Sequence, residues 1–421
     1  MPLIWLRWTT GGTGGGEDAD VGWGERGCAR DGGWGLGLHG GRHLPEGECC
    51  IYKVPHHLRK LNEEAYTPQV ISIGPFHHGN QNLQTLEKYK VRYLEDFMRR
   101  ASTSPENLIR IVKGSEERIR QCYAETIELD SDALVTMILL DATFIIEYFL
   151  RDMFPVQWTD VDRTVIKPWI TARMQLDFLL LENQLPFFIL KDLYGLVLCC
   201  VEPLFFHNGI IHFVDLIRIF YLPETLPERQ TGSRVEKICC ATQLAETGLT
   251  FKKSESLCYL DLKYHEGGVL EIPPFTIDNT MEIFARNLMA LEQCHYPTQA
   301  FITDYFFLLD FLIDTGKDVA LLADKKILVN GMGDDNATFI NNLGTNVQYS
   351  SMNSEYCRLC RDLAKFQNDS WNRWKAIFKR DYVSTPWKIV ATIATILLLA
   401  LTLTQAVCSI ISVLPSKRRN L

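Results

Sequence analysis

Residues 389–414 read IVATIATILLLALTLTQAVCSIISVL, and this is the most distinctive stretch of the chain. No charged residue lies between Lys388 and Lys417. A helix of these 26 residues would be about 39 Å long at ~1.5 Å per residue, which exceeds the ~30 Å hydrocarbon core of a bilayer. The stretch predicts one transmembrane helix over residues 387–414, followed by a short basic tail at 415–421. A buried core helix is the alternative.

The composition is that of a globular protein with an excess of acidic residues. Of the 421 residues, 47% are hydrophobic, and the formal net charge is -8. A large core can be buried, and the negative charge argues against nucleic acid as a partner. The 13 cysteines follow no disulfide spacing, so we expect reduced thiols in a cytosolic domain.

Residues 1–46 differ from the rest of the chain because they are rich in glycine. Together with Gly47 they hold 15 of the 28 glycines and show no helical or strand period. Glycine at this density raises the entropy cost of ordering and offers little surface to bury. We therefore expect this segment to be disordered, or to come from a mis-assigned exon.

Residues 47–382 have the pattern of a helical domain. The segment Leu134–Leu150, LVTMILLDATFIIEYFL, is apolar on nearly every side and is interrupted by Asp141 and Glu147. Charges inside an apolar helix favour a buried core helix over a second membrane span. The predicted fold class is therefore mainly α, with a multi-helix globular domain and one C-terminal transmembrane helix.

Two smaller patterns add detail to this domain. Residues 258–264 alternate in polarity, and Gly267 and Gly268 then lead into Val269–Ile272, which predicts a small β-hairpin. From residue 356 onwards, apolar residues recur at helical spacing as far as Trp374 and Ile377. That stripe predicts one continuous helix that docks the domain just before the membrane.

The segment Leu176–Leu190, LDFLLLENQLPFFIL, predicts two buried helices separated by a break. Pro186 cannot continue a helix, so we place it in the first turn of the second helix. The polar residues before it are expected to bond free backbone groups at the break. Buried, hydrogen-bonded structural roles are predicted for Asp177, Glu182, Asn183 and Gln184.

A group of histidines is the main candidate for chemistry. His56, His57, His77 and His78 lie within 23 residues, and four imidazoles could hold zinc. No cysteine or carboxylate follows at ligand spacing, so the simpler interpretation is that these histidines bond backbone groups in turns. We predict no cofactor and no catalytic residue, and a metal site at these histidines is the open alternative.

Several ordered motifs resemble the plant domain of unknown function 247 family. They are IYKVPHHLRKLNEEAYTPQVISIGPFHHG at 51–79, LLLENQLPFF at 179–188, HFVDLIR at 212–218 and GVLEIPPFTIDNTMEIFARNLMALEQC at 268–294, with PW at 386–387 before the terminal span. The resemblance covers Cys49 to the C-terminus. The structural motif positions that we take from these stretches are Pro55, Asp177, Glu182, Asn183, Gln184, Pro186, Asn287 and Glu292.

The resemblance implies a largely helical, membrane-tethered domain without established catalysis, and some members of the family are implicated in self-incompatibility. We therefore expect a non-enzymatic recognition or signalling protein whose partners are the lipid bilayer and an unidentified protein. The alternatives are a hydrolase or metalloenzyme that uses the histidine segment, and a structural scaffold at a membrane. A single C-terminal anchor in the plasma membrane, with the main domain in the cytosol, is the expected location.

Overall fold

Helices form most of the molecule, so the predicted mainly α fold is confirmed. The computed structural model describes residues 49–197, 209–223, 225–229, 238–331, 336–348, 351–372, 374, 377–378 and 386–413. The glycine-rich segment 1–46 and the basic tail 415–421 lie outside the described residues. The helices are α1 (His56–Arg59), α2 (Gln84–Ala101), α3 (Pro105–Gly114), α4 (Glu116–Gln121), α5 (Ser131–Met153), α6 (Asp160–Val165), α7 (Pro168–Asp177), α8 (Phe187–Tyr194), α9 (Phe213–Tyr221), α10 (Ala241–Glu246), α11 (Asn279–Cys294), α12 (Phe301–Leu312), α13 (Gly316–Asp324), α14 (Asn336–Leu343), α15 (Ser354–Asn368) and α16 (Pro386–Val413).

Helix α5 is the centre of the first half of the domain. The Asp130 side chain caps its start by accepting a hydrogen bond from the Ala133 N–H at 2.8 Å, which satisfies one free donor of the first turn. Helices α2 and α3 pack along it, and the rings of Tyr93 and Phe144 are 4.8 Å apart. The prediction of a buried core helix is confirmed, because 78% of its most apolar window is buried.

The strands form two small sheets. They are β1 (Thr250–Lys253), β2 (Lys263–His265), β3 (Val269–Ile272), β4 (Phe275–Ile277) and β5 (Leu328–Asn330). The predicted hairpin is present as the antiparallel pair β2–β3, and its turn requires glycine because Gly267 and Gly268 have φ of +107° and +83°. Its first strand is shorter than predicted, and β1 adds to β3 in parallel. Strands β4 and β5 form a separate parallel pair.

The buried apolar side chains form two clusters. The first cluster surrounds α5 and includes Tyr93, Phe144 and Phe178. The second surrounds α11 and α12 and includes Leu288 and Leu309. The segment 176–181 contributes to both, since Phe178 belongs to the first cluster and its leucines belong to the second. The residues around the α7–α8 break therefore join the two halves of the domain.

The chain after α15 departs from the prediction. Helix α15 ends at Asn368, and Asp369 adopts an extended conformation. Trp374 is 69% exposed, so the apolar stripe does not continue as one docked helix. The final helix, α16, is exposed to its surroundings, and no part of its apolar window Ile389–Ile410 is buried within the fold.

Candidate functional site

The sequence-predicted polar residues meet where α7 ends. We name the side chains of Asp177, Glu182, Asn183, Gln184 and Asn287 the polar junction. All five are at most 5% exposed. Helix α7 ends at Asp177 and α8 begins at Phe187, so the predicted order of helix, break and helix is present. The break is longer than predicted, because the leucines at 179–181 lie in it and not in the first helix.

Asp177 fixes the non-helical segment 69–71, which precedes α2. Its carboxylate accepts hydrogen bonds from the N–H groups of Gln69 at 3.0 Å, Val70 at 2.8 Å and Ile71 at 2.9 Å. Burial raises the pKa of Asp177 to about 6, although these N–H groups oppose that rise. The side chain gives these three N–H groups an acceptor that no neighbouring backbone provides in regular secondary structure, which makes its role structural.

Asn183 and Gln184 satisfy backbone groups on both sides of the break. Asn183 accepts from the Ile73 N–H at 2.7 Å and donates to the carbonyl of Asp177. Gln184 donates to the carbonyls of Phe178 and Leu180, both at 2.8 Å. These carbonyls belong to the end of α7 and the turn after it, where helical partners run out.

Two motif prolines and Asn287 complete this arrangement. Pro186 is the N-cap of α8, with φ of -58° and ψ of 130°, so its predicted place inside the first turn is wrong by one residue. Pro55 occupies the same position before α1. Asn287, on α11, accepts from the Leu181 N–H at 2.9 Å and donates to the Ala65 carbonyl at 2.8 Å, which ties the second cluster to the junction.

Glu182 brings together one of the histidines and a charged partner. Its carboxylate accepts from the Val54 N–H at 2.8 Å and pairs with Arg59 at 2.6 Å. The Nε2 atom of His77 lies 3.5 Å from the same carboxylate. Burial acts to raise the pKa of Glu182, but His77, the Val54 N–H and the Arg59 charge outweigh it and hold that pKa below its usual value. Glu182 is therefore an ionised anchor for the segment 54–59.

The structure does not bring the four histidines together. His56, His57 and His78 are exposed, whereas His77 faces Glu182. Across the described parts of the chain, no three histidine, cysteine, aspartate or glutamate side chains come close enough to hold a metal ion. The geometry of these residues therefore does not support the zinc hypothesis.

A buried polar cluster on α9 and α11 was only partly found from the sequence. Glu292, one of the predicted motif positions, pairs with Arg218 at 3.1 Å and accepts from the Thr303 N–H at 2.8 Å. The Tyr296 hydroxyl donates to Asp215 at 2.8 Å. The sequence signal for Asp215 and Arg218 is two charges three residues apart in the otherwise apolar run HFVDLIR, which a helix places on one face.

His212 is a further residue that the sequence analysis missed. It is the N-cap of α9, and its Nδ1 atom accepts a hydrogen bond from the Asp215 N–H at 3.2 Å. Burial, with a contribution from nearby His295, lowers the pKa of His212 to about 3. The imidazole therefore stays neutral in the folded protein and has a structural position.

The second candidate site is the apolar end of the chain. The hydroxyls of Thr395 and Thr404 donate to carbonyls four residues earlier in α16. Trp371, Trp374 and Trp387, on the N-terminal side of this helix, are 69–83% exposed. Tryptophan concentrates at membrane–water interfaces, where its ring meets the headgroups. The helix is long and apolar enough to cross a bilayer.

Comparisons with known proteins agree with these motifs. The model of a family described as a plant protein of unknown function, DUF247, matches residues 51–401. The chain belongs to this family. It is 29% identical to the UPF0481 protein At3g47200 of Arabidopsis thaliana, over 88% of each chain. A shorter similarity, 27% identity over 35% of this chain and 27% of the other protein, links it to the putative UPF0481 protein At3g02645 of the same plant. No solved structure matches the chain.

Proposed function

We propose that this DUF247 protein is a membrane-tethered recognition or signalling protein that works without catalysis. The observation that carries the proposal is α16, whose apolar window has no buried residue and carries no charge. A largely apolar surface that runs along 22 residues is costly to leave in water and favourable to place in lipid. The exposed tryptophans before the apolar window suit the membrane interface.

The charged residues of the domain support a non-catalytic role. Asp177 and Glu182 accept hydrogen bonds from backbone N–H groups of distant segments, and Glu292 accepts one from the first turn of α12. Each carboxylate therefore serves to hold backbone in place, and its loss would be expected to loosen the fold. A recognition protein needs such a rigid domain to present a defined surface to its partner.

The proposed orientation places the domain in the cytosol, at the plasma membrane. Arg373, Lys375, Lys379, Arg380 and Lys388 precede the span, against three basic residues after it. Positive residues favour the cytosolic side of a membrane. The sequon at Asn368-Asp369-Ser370 tests this orientation, because glycosylation of Asn368 in cells would place the domain in the lumen instead.

A swap of the anchor separates tethering from other roles of α16. In one variant, residues 389–410 are replaced by an unrelated apolar helix of equal length, and in a second variant residues 389–421 are deleted. Proximity labelling in plant cells should recover the same neighbours for the wild type and the swap, and should lose them for the deletion. Confinement to the membrane raises the effective concentration of a co-resident partner, which is the reason for this expectation.

Three outcomes would contradict the proposal. Unchanged labelling by the deletion variant would show that recognition needs no tether. A set of neighbours that never changes with cell type or stimulus would favour a structural scaffold. Loss of function in His77→Gln, with unchanged melting temperature and localisation, would favour an enzyme that uses the histidine segment.

A further inference from the structure

The domain contains an apolar cavity of about 220 Å³ between its two hydrophobic clusters. Phe149 and Phe213 line it from the side of the first cluster, and Phe284 and Phe306 line it from the side of the second. Protein interiors are close-packed and rarely leave voids much larger than a water molecule. An apolar cavity of about 150 Å³ is known to stay dry and to bind benzene, so the space here suits a somewhat larger molecule.

One polar group in the wall of this cavity lacks a partner. Tyr305, on α12, is 4% exposed, and its hydroxyl makes no hydrogen bond within the described structure. Burial raises the pKa of Tyr305, and so do Cys258, Tyr259 and Tyr221, which line the same cavity. The hydroxyl is therefore a neutral phenol that lies close to residues of the cavity wall. Buried hydroxyls almost always have a partner, so the cavity offers one unused hydrogen bond to an occupant.

The rim and the charges of the cavity restrict what can bind. Leu257 is 78% exposed and Phe220 is 45% exposed, and both line the cavity, so its wall reaches the protein surface. Among the described residues that line it, none is lysine, arginine or histidine. The Asp278 carboxylate at its edge is already used to cap α11. A charged ligand would lose its hydration without gaining a counter-ion.

We infer that this cavity binds a small, uncharged and largely apolar molecule whose single carbonyl oxygen accepts a hydrogen bond from Tyr305. The inference stands apart from the proposed membrane function, because it rests on the core of the domain and uses no residue of α16. Pockets of this kind hold their ligands by apolar contact and use a few polar groups for orientation. The Tyr305 hydroxyl is the group that would give orientation here.

A matched pair of probes tests the role of the hydroxyl. Acetophenone carries a carbonyl oxygen, and α-methylstyrene has the same shape with a methylene in its place. Both are titrated to their solubility limits into the full-length protein in lipid nanodiscs, and melting is followed by tryptophan fluorescence. Acetophenone should raise the melting temperature of the wild type and bind about tenfold more tightly than α-methylstyrene, as expected for one buried hydrogen bond.

Three variants make the test specific to the cavity, because partition of the probes into lipid is the same for each. Tyr305→Phe should weaken the binding of acetophenone about tenfold and leave the affinity for α-methylstyrene unchanged. Tyr148→Phe removes another buried phenol, one that accepts from Gln175 at 3.3 Å and does not line the cavity, and it should change neither affinity. Ile146→Phe places a larger side chain in the cavity wall and should abolish the binding of both probes.

The inference is overturned if neither probe binds the wild type, which would mean that the chain itself fills this space. It is also overturned if Tyr305→Phe binds acetophenone as tightly as the wild type does. If Ile146→Phe fails to fold, the comparison between Tyr305→Phe and Tyr148→Phe still decides the question. Tyr305→Phe removes a hydroxyl without a partner, so it should fold normally.

Discussion

Helices α5 and α16 resemble each other in length and apolar content but have opposite surroundings. Each is long and apolar enough to cross a membrane. In α5, 78% of the apolar window is buried by the rest of the domain, whereas in α16 none of it is. Apolar content therefore does not distinguish the buried helix α5 from the unburied helix α16 in this chain.

The charges inside the two helices do distinguish them. In α5, Asp141 pairs with Lys90 at 2.5 Å and Glu147 pairs with Arg100 at 2.7 Å. The window Ile389–Ile410 contains no charged residue. A charge in an apolar helix needs partners that protein can supply and lipid cannot. Paired charges thus mark α5 as a part of the domain, and the absence of charge from the apolar window of α16 supports the proposed membrane span.

The largest expected effect comes from placing charge at the centre of α16. Leu398→Arg combined with Leu399→Arg should cost about 6 kcal/mol of insertion free energy, at ~3 kcal/mol for each arginine. The protein should then be released from membranes by carbonate extraction. Both leucines are about 60% exposed, so the melting temperature of the domain should not change.

The control for this variant is Leu398→Ala combined with Leu399→Ala, which keeps the helix uncharged and should stay in the membrane pellet. Retention of the double arginine variant in the carbonate-resistant pellet would contradict the assignment of α16 as a lipid-embedded helix. A fall in the melting temperature of the domain would instead place α16 against the domain.

Removal of a charge should have the opposite outcome in α5. Glu147 is fully buried, and Arg151, which pairs with it, is only 3% exposed. Glu147→Ala should therefore destabilise the domain by about 3–5 kcal/mol, because a buried arginine loses its partner. Thermal unfolding of the protein in nanodiscs measures this loss, while membrane attachment should stay intact.

The control is Glu95→Ala, which removes an exposed glutamate from α2 and should cost less than about 0.5 kcal/mol. A loss below about 1 kcal/mol for Glu147→Ala would mean that Arg151 is satisfied by its other contacts, which include Asp96 and Asp162. Burial alone, and not the pairing of charges, would then distinguish α5 from α16.

Local patterns were sufficient to predict the secondary structure that depends on nearby residues. The apolar run of α5, the pair Gly267-Gly268 and the break before Pro186 each indicate the correct kind of element. The helix after residue 356 was predicted to be too long, since a periodic stripe does not reveal that Asp369 turns the backbone to an extended conformation. Periodicity predicts which residues share a face, but it does not predict where a helix ends.

The candidate sites depend on contacts between distant parts of the chain, and these were not predicted. Glu182 bonds Val54 across 128 residues, and Asp177 bonds Val70 across 107. The sequence indicated that such carboxylates would be buried and hydrogen-bonded, but it gave no partner. The orphan hydroxyl of Tyr305 could not be predicted either, because a tyrosine in an apolar helix is indistinguishable from one with a partner until the packing is known.

The smallest predicted effect concerns pH and again separates the domain from its proposed anchor. The pKa of His212 is lowered by burial to about 3 in the folded protein, against about 6.5 for an unfolded chain. The unfolded chain therefore takes up this proton first. The stability that depends on neutral His212 is fully present above about pH 6.5 and is lost as the pH falls towards about 3.

Comparison with His212→Asn isolates this contribution, because asparagine can still accept the hydrogen bond from the Asp215 N–H but does not titrate. On acidification from about pH 7.5 to about pH 5, the wild type should lose about 2 kcal/mol more unfolding free energy than the variant does. Groups that do not interact with His212 titrate equally in both proteins and cancel. Membrane attachment should not change over this range, since Ile389–Ile410 contains no acid, base or histidine. Equal pH dependence of the two proteins would mean that His212 is protonated in the fold, and that burial in the domain does not control its charge.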